Sequence, residues 1–227
     1  MKLARRFLFS SLILLSCTAR DEEIQEPGDN ALMQIPAGFP APAIPAGNEI
    51  NPERYALGKK LFYDPIMSRD SSVSCDSCHR PEFAFSDTEA FSKGVNDAPG
   101  TRNAPSLANV AYHPYFTREG GVPTLEMQVL VPIQEHVEFD YNILRIAERM
   151  NRDSAYRQMS QRAYNRLPDP FVITRSIACF ERTLISGNSR YDLYRNKGIR
   201  SALSESEKRG MDLIFGNRAQ SSSCHGG

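Results

Sequence analysis

Five consecutive residues constrain this chain more than any others: Cys75, Asp76, Ser77, Cys78 and His79. They lie in a stretch, 65 to about 122, with Gly and Pro scattered through it and no sustained hydrophobic period. Such a stretch cannot organise itself around a regular core, so a bound group is expected to organise it. Two thiols three residues apart on one helical turn face the same side, with an imidazole immediately after. This is the spacing of c-type haem attachment, in which both thiols add to the vinyl groups and His79 ligates the iron. A zinc site would want a further Cys or His cluster, and none lies nearby. A redox dithiol would want a βαβ setting, which is missing.

The rest of the pattern predicts a mainly α chain with few strand signals. Asn51, Pro52 and Glu53 open a helix carrying Leu57 and Leu61, which ends near Asp64-Pro65. Thr124–Val131 reads as a helix stopped by Pro132. Asn142 opens another, with Ile143, Ile146 and Met150 on one face; 153–166 is a third, largely polar. Asp169-Pro170 opens the clearest helix, with a stripe of Ile173, Ile177, Phe180 and Leu184 and an expected end at Gly187. Ser204 and Glu207 form a capping box for a last helix carrying Met211 and Ile214.

At the start, Lys2, Arg5 and Arg6 precede a short apolar run, Phe7 to Leu15, which reads as an export signal. It ends Leu14-Leu15-Ser16-Cys17, which resembles a bacterial lipobox and implies lipidation at Cys17, an anchor on a membrane surface and a place in the periplasm or cell envelope. Residues 18–49, rich in Pro, Ala, Gly and acidic groups, are expected to be an extended tether. Positive and negative side chains balance at 27 each, so nothing points to nucleic acid. The remaining cysteines do not read as a disulfide framework, and Cys179 is expected to be a buried helix residue.

Several phrases together resemble the bacterial di-haem cytochrome c peroxidase and MauG family: ALGKKLFYDPIMSRD, CDSCHRPEFAFSD, RNAPSLANVAY, TLEMQVLVPIQEHVEF, ACFERTLIS and ALSESEKRGMDLIF. They follow in family order from about residue 50 to the end. The resemblance implies a cytochrome c-like haem domain over 50–187 and the start of a second over 188–227. It implies a haem c peroxidase that reduces hydrogen peroxide to water with electrons from a cytochrome or other small redox protein. Gln128, Pro132 and Glu138 stand at the family's peroxide-pocket positions. Spacing agrees, since Gln128 and Pro132 share a helix face and the loop after Pro132 can fold Glu138 back. Glu138 is then expected to move a proton between the two peroxide oxygens. His113 is expected to be structural or exposed. The other functions weighed are a one-haem electron carrier, a MauG-like oxidant of a partner protein and an inactive fragment.

A second phrase, AQSSSCHGG, stands where the resemblance puts the second haem. Ser221 replaces its first Cys, so Cys224 offers at most one thioether, with His225 as the iron ligand. Arg118 stands on the family's Trp between the haems, and Glu119 on its Asp. The favoured reading is a degenerate site, with 188–227 the truncated start of a poorly packed second domain. Asn103 matches a ligand position of the family's calcium ion, whose other ligands would come from the part not present here.

Overall fold

The computed structural model describes residues 32–216, 218, 219 and 221. Nine α-helices and several 3-10 turns make up the described residues, with isolated bridges in place of strands. None of the described helices is long and apolar enough to cross a membrane. Cys17, Cys224 and His225 lie outside the described residues.

Two crossing helices form the core. In α1, Pro52–Tyr63, the Asn51 side chain caps the start by accepting from the Arg54 N–H at 2.9 Å. In α7, Pro170–Arg182, Asp169 accepts from the Val172 N–H at 2.9 Å. Leu57 and Leu61 of α1 meet Ile173 and Ile177 of α7, all at most 1 % exposed. The crossing demands Gly58, where a Cβ would lie 1.8 Å from the Ser176 carbonyl oxygen. Helices α5, Ile143–Arg152, and α6, Ser154–Tyr164, close this core with Ile146, Met150 and Tyr156. Each is capped as its sequence implies, α5 by Asn142 and α6 by Asp153.

Three expectations need correction. The long helix ends at Arg182, five residues before Gly187. Asn109 draws the chain out there: its backbone N–H bonds the Leu184 carbonyl at 2.7 Å, and its amide pairs both ways with the Ser186 backbone at 2.8 and 3.0 Å. Nor does Pro132 stop its helix. Two short helices, α3 (Leu125–Gln128) and α4 (Leu130–Gln134), run on with a break at Val129, and Pro132 lies inside the second. Proline has no N–H to give the Gln128 carbonyl, so the break falls one turn earlier. Finally, residues 32–49 are not a free tether. Pro42 and Asn48 are buried, and Phe39 meets the Tyr112 ring edge-on with centroids 5.7 Å apart. The Asn48 amide donates to Glu126 and to the Arg175 carbonyl, a specific anchor that composition does not show.

The short α2, Cys75–Cys78, opens the loop-rich region that α1 and α7 support. Of nine non-glycine residues with positive φ, seven fall between Ser71 and Thr117. Left-handed backbone of this kind costs free energy and collects around functional sites. After α7 come α8, Arg190–Arg195, and α9, Glu205–Phe215, whose capping box joins Ser204 and Glu207 as expected. Leu213, Ile214 and Phe215 of α9 are exposed.

Candidate haem-binding site

One turn of helix does the first part of the work. Helix α2 sets Cys75 and Cys78 on one wall of a cavity of about 320 Å³, and His79 follows as its C-cap. Burial pushes both thiols above their ordinary pKa, Cys75 well above it, so they are neutral. The His79 Nδ1 lies 2.9 Å from the Phe85 carbonyl oxygen. That contact fixes Nδ1 as the protonated nitrogen and leaves the Nε2 lone pair for a metal. Ala84 and Phe85, both at positive φ, turn the chain back so that this carbonyl meets the ring. Burial lowers the His79 pKa although the Phe85 and Pro105 backbones favour the charged form, and the net effect favours the neutral ligand form.

A further part of the lining comes from the α3–α4 break and the loop behind it. Gln128, Pro132 and Glu138 all line this cavity and an adjoining one of about 240 Å³. The Gln128 Oε1 is buried with no hydrogen-bond partner among the described residues. A buried amide oxygen without a partner costs about 1–3 kcal/mol unless a ligand meets it. Glu138 arrives through a tight return: its N–H bonds the Glu135 carbonyl at 3.0 Å and its carbonyl takes the Val95 N–H at 2.9 Å. Gly94 makes the passage possible, because a Cβ there would lie 2.1 Å from the Val137 carbonyl oxygen. The Glu138 residue is exposed, yet it lines the cavity and its carboxyl is largely desolvated. That enclosure, with Glu135 near, raises its pKa above the ordinary glutamate value.

A buried ion pair joins this wall to the core. Arg182 at the end of α7 grips Glu126 of α3 with two bonds, 2.6 and 2.9 Å. Burial alone would raise the Glu126 pKa, but the guanidinium outweighs it and the net shift is downward.

The residues fit a haem. Paired thiols, a tautomer-fixed imidazole, a partnerless amide and a carboxyl line one cavity. Met67, Leu125, Val129 and Ile177 supply apolar surface between them. No group of three or more metal-ligating side chains occurs elsewhere among the described residues. Asn103 lies at the second cavity, where its Oδ1 accepts from the Arg118 guanidinium. His136 is not in the pocket: it is exposed and 2.8 Å from Asp140. His113 is exposed, on the cavity rim.

Fold and site together define a c-type haem domain. The chain belongs to the di-haem cytochrome c peroxidase family, whose family model matches residues 52–199. It is 34% identical over 184 residues to the methylamine utilization protein MauG of Methylorubrum extorquens, covering 80% of this chain and 51% of that one. It is 32% identical over 197 residues to the cytochrome-c peroxidase IdrP1 of a Pseudomonas species, covering 84% and 51%. Among solved structures, a MauG-like protein associated with microbial copper homeostasis superposes with a TM-score of 0.78 at 34% identity, over 85% of this chain and 57% of that one. The chain thus spans about half the length of the curated relatives it matches.

Four positioning features were not foreseen: the Phe85 carbonyl, Gly94, the Glu126–Arg182 pair and the buried Glu181. Only Glu181 left a trace in the pattern. It follows Ile177 by four residues, so a carboxyl falls on the apolar stripe of α7.

Proposed function

We propose that this chain carries the peroxide-reducing haem site of a cytochrome c peroxidase, taking electrons from a small redox protein such as a cytochrome. The observation that carries the reading is that Glu138 and Gln128 line the same cavity as Cys75, Cys78 and His79. Haem, when bound, would supply the electron chemistry. Cys75 and Cys78 would anchor it, and His79, oriented by the Phe85 carbonyl, would ligate its iron. Gln128 offers its amide to peroxide and Pro132 keeps the wall shaped. Glu138 accepts a proton from the near peroxide oxygen and returns it to the far one, which leaves as water. A group doing this must be ionised to start and must have a pKa close enough to the working pH to give the proton back. The raised pKa of Glu138 suits that task.

In the same reading one haem is held covalently, and a second at Cys224 and His225 is degenerate. The basic start and the phrase ending at Cys17 support export and lipid anchoring at the cell envelope.

Glu138→Gln tests the proposal. Peroxide turnover should fall about 10²–10⁴-fold with haem still attached. Unchanged turnover removes Glu138 from the mechanism. A chain that carries no covalent haem after maturation overturns the reading as a whole.

A further inference from the structure

Glu181 has no role in the scheme above, and its setting is unusual. It is 8 % exposed and lines the haem cavity beside Cys75, Ile177 and Leu125. No hydrogen bond to its carboxyl occurs among the described residues, although its neighbour Arg182 makes two. The helix explains the contrast. Consecutive residues on α7 point about 100° apart, so Arg182 turns to Glu126 while Glu181 turns into the cavity.

The charged surroundings are sparse. Arg182 on the same helix favours the ionised form, and Glu126 on α3 opposes it. The Cys75 thiol approaches from α2 and is consumed when a thioether forms. From α1, Leu57, Leu61 and Phe62 pack towards α7, with the Tyr63 ring against Phe180; from α5 come Ile146 and Met150. The turn at 110–112 brings Val110 to the wall. Glu138 and His79 share the cavity itself. Burial dominates and pushes the Glu181 pKa up to about 8. Burial therefore favours the protonated form against the pull of Arg182, and no described side chain donates a hydrogen bond to the carboxyl.

We propose that Glu181 is a redox-linked proton acceptor: its carboxylate takes up one proton when the haem iron gains one electron, and releases it when the iron is reoxidised. This rests on the haem reading above and deepens it. Per cycle, one electron from the redox donor and one proton from solvent enter the same apolar cavity, so its net charge is unchanged. Peroxide reduction to water consumes two electrons and two protons, and Glu181 holds one of those protons in step with an electron. The physical basis is Coulombic. Iron that gains an electron carries one positive charge less, and a nearby carboxylate in a medium of low polarity then binds its proton more tightly.

Redox titration of the haem-loaded chain against pH tests this. Glu181 deprotonates more readily with oxidised iron than with reduced iron. Between those two values the midpoint potential should fall as pH rises, by at most about tenfold in the reduction equilibrium per pH unit, and level off above the higher of them. In Glu181→Gln, which keeps size and removes the titration, this slope should vanish. A reduced-minus-oxidised infrared spectrum of the unaltered protein should gain a protonated-carboxyl band, absent from the variant. A slope that persists in Glu181→Gln, assigning it to Glu138 or to the haem's own carboxyls, overturns the proposal. So does a wild-type spectrum with no carboxyl band, even where the variant cannot be made. Failure to attach haem sinks the functional reading and this one together; a haem-loaded chain with a flat profile sinks this one alone.

Discussion

The helical core and the loop region at 65–124 solve the same problem in opposite ways. In the core, α1 and α7 satisfy their backbones internally, cap their own ends and bury a continuous apolar stripe. The loop region satisfies its backbone through turns, isolated bridges and left-handed residues, and what it encloses is a cavity. Stability therefore resides in the core and chemistry in the loops. Just past the loop region, Arg182 of α7 holds Glu126 of α3, the first helix to follow it.

Cutting that joint should have the largest effect. Arg182→Met leaves the Glu126 charge with only the Asn48 amide, and urea unfolding should show a loss of about 3 kcal/mol. A loss under about 1 kcal/mol would mean that the pair is solvated and does not couple the regions. Withholding haem should separate the regions instead. Hydrogen exchange of the haem-free chain should show 65–124 losing protection by far more than α1 and α7, because the loops lose the group that fills their cavity. Equal loss in both regions would remove the distinction.

Gly94→Ala should act on chemistry more than on folding. The new methyl group must displace the Val137–Glu138 backbone, and a shift of about 1 Å at a proton-transferring group costs about 10²-fold in turnover. Melting of the helices should change little. The smallest effect is in the pH profile. Glu138 must be ionised to take the first proton, so activity falls as pH drops through its pKa. Burial raises that pKa, so the acid limb should lie above the ordinary glutamate value near 4.5. A limb at or below 4.5 would place Glu138 in open solvent.

Much of this was legible beforehand. The capping residues Asn51, Asn142, Asp169 and Ser204 all open helices, since an N-cap needs only residues within one turn of itself. The haem phrase was legible for the same reason, as one turn of α2 holds both thiols. Gln128, Pro132 and Glu138 were found through family resemblance and do line one cavity. The end of α7 was not legible, because Asn109 sets it from more than 70 residues away. Residues 32–49 were misread because composition reports average polarity, whereas Asn48 is held by particular partners.

What the chain determined by itself is local: helix faces, caps, and two sulfurs and an imidazole within five residues. These rest on bond geometry and on periods of three to four residues, which any isolated stretch carries. Only the tertiary structure decided which distant segments face each other, and so which carboxyls lose water. Glu126, Glu138 and Glu181 are chemically identical. One is held ionised by a guanidinium, and the other two are driven towards their protonated forms by enclosure. Solvation depends on everything packed within a few ångströms, and no short window of sequence contains it.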